Sequence, residues 1–398
     1  MAPVQRLPIV GLSSNALDAA NASGRPDGIG IYTQALERAL IDEGVTVWRV
    51  GNPPRGVRSP SSNNRSIRYP LPWQPAIAAA CALGARLPFA AAIEDRIDIF
   101  HATDYLVPNF ARTPVVVTLH DAVPLAHPEW ANPRARRFKN RLLRGFARSA
   151  ARCIAISHAA VPELVEHYAI DPALIRVVPL GVGAHWFEQP SEQTIEAVLA
   201  SRRLAGGYFL HVGTLQPRKN VDILVTAYER LPNEIRARRQ LVIAGKYGWG
   251  VPALRERLCS LRSAGRVVWL DYVDRDTLRA LHYGAQAFVF PSLAEGFGLP
   301  VLEALATGLP VIAGDLPALR EVAQHHATYV SPHDVDAISS AMSNIDAYVG
   351  IATDIETRRL HARTFSWQQC ARQTLDIYGE LGLRATSESP TNPASLDL

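Results

Sequence analysis

Two carboxylates, Glu295 and Glu303, flank a glycine-bearing turn in the run Ser292-Leu293-Ala294-Glu295-Gly296-Phe297-Gly298-Leu299-Pro300-Val301-Leu302-Glu303. Pro300 suits the first helical position, where its missing N–H is no loss, and Gly308 with Pro310 marks the exit. The predicted helix is about two turns long, with Glu303 in its first turn. Its amino end, reached through Gly296-Phe297-Gly298, offers backbone N–H groups and the positive end of a dipole to an anion. A fully helical span between the two Glu residues would be roughly 12 Å, which does not itself supply the ~5 Å carboxyl pair of a retaining glycosidase. Carboxylates on either side of an anion site suit hydroxyls at two ends of one ligand, as in a nucleotide-sugar. Spacing alone equally admits a solvated loop Glu and an ordinary helix Glu.

Arg218 and Lys219 precede an expected helix from Val221 to Arg230. Cations at that end oppose the helix dipole, so local stability does not explain them, whereas a bound pyrophosphate would. Two ordinary surface basics are the other reading. His120 and Asp121 follow the apolar run Val115 to Leu119, at the carboxyl end of a predicted parallel strand, where open α/β sheets place ligands. A neutral imidazole there can orient a hydroxyl or support charge on a reacting sugar, although a lone His is also often structural. Gly28 and Gly30 sit between a first strand, Leu7 to Leu12, and a helix through Tyr32, Leu36 and Leu40. They are too few for the dinucleotide fingerprint, and a plain turn accounts for them.

The elements that must hold these residues alternate strand and helix twice over. Further strands are expected at 45–50, 97–102, 153–157 and 175–182, and then in a second series at 208–213, 240–245, 267–273, 287–290, 311–313 and 329–332. Ser157 is placed to cap the helix that follows it. Residues 51–75, rich in Pro, Ser and Asn, read as a long surface loop facing an acceptor. Residues 183–206 read as the crossing between two domains, and 385–398 as a disordered tail. Two similar series imply an α/β protein of two doubly wound, Rossmann-like domains facing across a cleft.

The block around Glu295 and Glu303 resembles the E-x7-E signature of the large retaining glycosyltransferase family with the GT-B fold. That family is the family 4-like, group 1 set, which includes many bacterial polysaccharide mannosyltransferases. The resemblance runs from about residue 7 to 380 and is strongest from 208 to 334. It implies residues 1–183 as an acceptor-side domain and 184–365 as the nucleotide-sugar domain, with a C-terminal helix, about 366–383, packing back on the first. By the same resemblance Glu295 holds the donor sugar, Glu303 the ribose, and Lys219 with Arg218 the leaving diphosphate. The amides of Gly296, Phe297, Gly298 and Leu299 meet donor phosphate and sugar, the backbone around Val273 meets the base, and Gly28 and Gly30 face the cleft. His120 assists at the reacting face. Some relatives carry Arg after the glycine where this chain has Thr214, which leaves open whether Arg218 or only Lys219 touches phosphate. The expected reaction moves a sugar, mannose from GDP-mannose by choice, to a glycan or lipid-linked acceptor, without metal or other cofactor. Other nucleoside-diphosphate hexoses or deoxyhexoses, an epimerase, a glycan phosphorylase and a non-catalytic nucleotide-sugar binder are the alternatives.

Composition sets the outer bounds. A chain of 398 residues, 48% apolar and 20% charged, is long enough for two cores and ordinary for a globular protein. No apolar run approaches the ~20 residues of a membrane span and no leader is visible, so a cytoplasmic location is expected. Cys81, Cys153, Cys259 and Cys370 are too dispersed for metal or disulfide spacing and read as buried thiols. The formal charge of +4 is modest, yet Arg134, Arg136, Arg137, Lys139, Arg141, Arg144, Arg148 and Arg152 crowd one segment, with Phe138, Leu142, Leu143 and Phe146 between them. A basic face beside an apolar stripe suits either a solvated helix packed on its domain or a peripheral contact with anionic membrane. No nucleic-acid motif accompanies the charge.

Overall fold

Short apolar runs without alternation form strands buried on both faces, the mark of a parallel sheet covered by helices. The computed structural model describes residues 7–18, 26–52, 65–130, 142–145, 147–261, 265–348 and 352–382. The first sheet comprises β1 Ile9–Ser13, β2 Thr46–Gly51, β3 Ser66–Arg68, β4 Ile99–Ala102, β5 Val115–Leu119, β6 Arg152–Ala155 and β7 Ile175–Val177. The second comprises β8 Tyr208–Val212, β9 Leu241–Ala244, β10 Val267–Leu270, β11 Ala285–Phe290, β12 Val311–Gly314 and β13 Ala327–Val330. The strand orders are β3-β2-β1-β4-β5-β6-β7 and β10-β9-β8-β11-β12-β13, with parallel neighbours throughout. The chain order reverses between β1 and β4, and again between β8 and β11. Such reversals open crevices at the carboxyl ends of the strands.

The helices that cover the sheets include α1 Gly28–Asp42, α2 Val161–Tyr168, α3 Glu192–Ser201, α4 Val221–Glu229, α5 Arg275–Gly284, α6 Leu299–Thr307, α7 Pro317–Ala323 and α8 Trp367–Glu380. Tyr32, Leu36 and Leu40 give α1 one buried stripe, as their spacing requires. Ser366 caps α8, its side chain accepting from Gln369 N at 3.1 Å. Although α8 follows the second sheet in sequence, it packs against α1 of the first half. Tyr378 Oη lies 2.7 Å from His101 Nδ1, and His101 Nε2 lies 2.8 Å from Thr118 Oγ1. Burial, aided by the nearby His120, pushes His101 down to about 3, so this inner link is neutral. At the outer end Glu380 accepts from Arg152 at 3.1 Å and Arg176 at 2.8 Å.

Several expectations need correction. The stretch read as the crossing, 183–206, also holds the helix α3, capped by Ser191, which accepts from Thr194 N at 3.2 Å. Its charged, mixed sequence forms a helix that buries Leu199 and packs Ile195 and Val198 against the core. The loop expected at 51–75 yields β3 and a helix starting at Trp73, while residues 53–64 lie outside the described residues. Cys259 is exposed, on the outer side of a helix. Of the basic segment, Arg134, Arg136, Arg137, Lys139 and Arg141 lie outside the described residues, as does the tail. Within that segment Leu142 and Leu143 are buried in the first-half core, and Arg152 belongs to β6. The apolar stripe is at least in part a packing surface. No described helix is long and apolar enough to cross a membrane.

Candidate active site

A cleft of about 1160 Å³ runs between the carboxyl edges of the two sheets and receives residues from both. From the first half come Gly28, His120 and Asp121; from the second come Arg218, Lys219 and Glu295.

Glu295 lies just beyond β11, and its carboxylate is shared between the two cations expected to stand near it. Lys219 Nζ donates to Oε1 at 2.6 Å and Arg218 Nη1 donates to Oε2 at 3.0 Å. Arg218 Nη1 also donates to the Ala294 carbonyl at 3.2 Å. A one-turn 3-10 segment, Pro217–Lys219, presents both cations, and it ends at Asn220 in the left-handed conformation. The Asn220 amide ties the turn down by donating to the carbonyls of Pro291 and Pro332 at 3.0 and 2.6 Å. Burial alone would raise the Glu295 carboxyl, but the charges of Lys219 and Arg218 outweigh it and hold the group down to about 2. Lys219 is brought down to about 8, first by burial and then by Arg218, with Glu295 opposing. The cluster carries one net positive charge, with its cations already desolvated.

Facing it is the tip of α6. Gly298 precedes the helix at φ +103°, a conformation that suits glycine, and a Cβ there would collide with Leu319 on α7. Leu299 and Pro300 are the first two helical residues, so Pro300 takes the second position rather than the first. Among the described residues nothing accepts from the N–H groups of Gly298 and Leu299, which leaves them for an anion. The Phe297 side chain is buried against Phe365, ring centres 6.0 Å apart, so only its backbone can serve a ligand. Gly296 marks the seam between halves. A Cβ on it would overlap the His120 carbonyl oxygen, while its own carbonyl accepts from Ser157 Oγ at 2.6 Å. Ser157 also accepts from Ala160 N at 3.1 Å, just ahead of α2. Glu321 of α7 takes the N–H groups of His158 and Ala159, each at 2.8 Å.

His120 is buried, its Nε2 3.0 Å from the Thr103 carbonyl and its ring edge-on to Tyr32 with centres 4.9 Å apart. Burial lowers its pKa, against the hydrogen bond to Thr103 and the charge of Asp121, so a neutral ring is favoured. Asp121 beside it accepts from Tyr105 Oη at 3.0 Å and adds negative charge near Arg218 and Lys219.

Glu303 falls in the second turn of α6, not the first, with its side chain lining the cleft. Burial pushes its carboxyl up to about 8, and Arg275 and Trp186 draw it back only in part. The two Glu residues of the run therefore sit in opposite electrostatic settings. Val273 lines the same cleft, as does Arg275, the first residue of α5. Gly28 opens α1 rather than a loop and lines the cleft with nothing within contact of a Cβ, whereas the Gly30 N–H is already given to Asp27 Oδ1 at 2.9 Å. Arg275 and Trp186 were not singled out from sequence, and Asp121 was placed at the strand end without a role of its own. Arg275 had a signal, a cation at a helix start where the dipole disfavours it.

Residues 202–345 match the model described as "Glycosyl transferases group 1", and residues 26–185 that of "Glycosyltransferase Family 4". The O-antigen chain mannosyltransferase B of Escherichia coli is 31% identical over 326 residues, 80% of this chain and 84% of that protein. Sucrose-phosphate synthase from Thermosynechococcus elongatus superposes with a TM-score of 0.73 at 22% identity, covering 95% of this chain and 99% of the other. The Anabaena protein HepE, solved with UDP and glucose, gives 0.70 at 17% identity over 94% of this chain and 100% of its own. Likeness at such identities establishes the fold, two facing parallel sheets in the GT-B arrangement. Together the matched halves and the O-antigen relative establish that the chain is a glycosyltransferase belonging to the group 1 family of GT-B enzymes.

Proposed function

We propose that the cleft binds a nucleoside-diphosphate sugar, GDP-mannose before others, and passes its sugar with retained anomeric configuration to a glycan or lipid-linked acceptor in bacterial polysaccharide or lipopolysaccharide assembly. The observation that carries this reading is the Arg218–Lys219–Glu295 cluster set against the open amides of α6. The choice of mannose rests on the mannosyltransferase name of the Escherichia coli relative. Retention rests on the family resemblance.

In this reading the diphosphate lies between the α6 tip and the cationic turn. As the bond from the sugar C1 to the phosphate oxygen breaks, its electron pair leaves with the diphosphate, and Lys219 and Arg218 meet the growing charge. Such preorganised charge in a dry site is usually the largest catalytic contribution. The acceptor oxygen bonds to C1, and its hydroxyl proton passes to the departing diphosphate oxygen. Glu295, relieved of part of its hold on the cations, accepts hydrogen bonds from sugar hydroxyls, and Glu303 does the same for the ribose. Neutral His120 supports the reacting face, and the backbone at Val273 meets the base. The division near residue 183 then separates an acceptor half from a donor half, and the basic segment from 134 serves contact with an anionic membrane on the cytoplasmic side.

The test is donor-dependent release of nucleoside diphosphate, screened over sugar nucleotides with Glu295→Ala as control. Release from GDP-mannose that is lost in the variant supports the reading, and no release from any donor by folded protein overturns it. An epimerase would convert the donor without acceptor, a phosphorylase would need phosphate, and a binder would show saturation without turnover. The two cations take the role a metal would otherwise fill, so transfer should survive chelation.

A further inference from the structure

Trp249 is 51% exposed, an unusual state for so large an aromatic side chain, yet its orientation is fixed. Its indole Nε1 donates to the Trp130 carbonyl at 2.7 Å, which uses the one hydrogen bond that ring can make. Trp130 is itself held, stacked on His127 with ring centres 4.0 Å apart and planes 16° apart. Trp130 and His127 follow β5 in the first half, whereas Trp249 follows β9 in the second. This hydrogen bond therefore joins the two halves, and all three rings line the cleft.

The loop that carries Trp249 is fastened to the loop that carries the cations. Leu215 N donates to the Lys246 carbonyl at 2.9 Å, and Gly248 N donates to the Leu215 carbonyl at 3.1 Å. A Cβ on Gly248 would overlap that same Leu215 oxygen, so the two loops are in van der Waals contact. Folding gives no reason to hold an apolar face in water at this point. A ligand with one apolar face and a polar rim gives one, because it covers the ring while its polar groups stay wet.

We propose that Trp249, braced by Trp130, is the platform for a pyranose ring of the acceptor glycan. The C–H face of the sugar lies on the indole, and its hydroxyls reach the Lys246 side of the rim. The inference rests on the reading of a glycan as acceptor. Of the residues assigned to the donor, Glu295 and Glu303 lie on the β11–α6 side and Val273, assigned to the base, follows β10. Trp249 follows β9, between these groups in strand order, but its ring leans on Trp130 of the first half, the half assigned to the acceptor, which favours acceptor over donor. Because its brace comes from the opposite half, the platform is complete only while the halves are together.

The test uses full-length protein labelled with 5-fluorotryptophan, with the Trp249 resonance identified by Trp249→Phe. It is titrated with GDP alone and then, with GDP present, with mannobiose, lactose, cellobiose and chitobiose. We expect one or more disaccharides to shift the Trp249 signal and GDP alone to leave it. In kinetics, Trp249→Ala should raise KM for the glycan acceptor about tenfold more than KM for the donor, and Trp249→Phe should fall between. A shift with GDP alone, no shift with any disaccharide, or a larger effect on donor KM would overturn the assignment. The resonance titration needs no turnover, so it reads this inference even where donor-dependent release has failed.

Discussion

Lys219 Nζ lies 2.6 Å from Glu295 Oε1 and 4.6 Å from the centre of the Phe290 ring, so the charge assigned to the leaving diphosphate and the carboxylate assigned to the sugar form one buried pair. Glu295 offsets one of two adjacent buried cations, and one net positive charge remains. An incoming diphosphate must share Lys219 with Glu295, and in doing so frees acceptor capacity on the carboxylate for hydroxyls.

Glu295→Gln should strand both cations. Removing one partner of a buried pair costs about 3–5 kcal/mol, so the melting temperature should fall. Donor-dependent release should drop about a hundredfold or more. Inorganic diphosphate should raise the melting temperature of the variant more than that of the unaltered protein, because it replaces the missing counter-charge. Equal stabilisation of the two would show that the cations do not meet phosphate.

Lys219, at about 8, begins to lose its proton just above neutral pH. The donor kcat/KM should therefore decline as pH rises through that value. Lys219→Arg should carry the declining limb beyond about pH 10, since a guanidinium stays charged. An unchanged limb would assign the titration to another group.

Glu303 is raised from 4.5 to about 8, so the folded chain retains a proton there that the unfolded chain releases. Its contribution is full below pH 4.5 and is lost as pH climbs through 8. Urea midpoints should fall across that window in the unaltered protein and stay flatter in Glu303→Gln. Parallel curves would place the carboxyl in a wetter setting.

Gly296→Ala should force the halves apart, because the added methyl would overlap the His120 carbonyl. Small-angle scattering should report a larger radius of gyration with an unchanged circular dichroism spectrum, and donor-dependent release should fall by about 100-fold as the amides lose register with the cations.

The parallel strands were legible because burial on two faces demands unbroken apolar runs, as in Val115 to Leu119 and Phe288 to Phe290. Glycine and proline punctuation likewise located the α6 tip to within a residue. What stayed hidden depends on contacts distant in sequence. The Arg218–Glu295 bond spans 77 positions and the Ser157–Gly296 bond 139, and no local pattern encodes either. Glu303 and Glu295 look alike as letters, and only burial and neighbouring cations drive them to opposite protonation. Helix α3 escaped notice because its apolar stripe is short, only Ile195, Val198 and Leu199 among polar residues, and Trp249 because exposure cannot be read from residue type.

Val182 N donates to the Phe365 carbonyl at 3.0 Å, and Gly181 lies so close to Trp367 that a Cβ there would strike its backbone. The outgoing passage of the chain and its return by way of α8 are thus laced side by side. Two adjacent tethers act as a door hinge that resists sliding and twisting, while a swing must break the bonds that Ser157, His158, Ala159 and Trp249 make between the halves. Displacement then grows with distance from that line, so substrate entry at the far rim requires only a small rotation at the lacing.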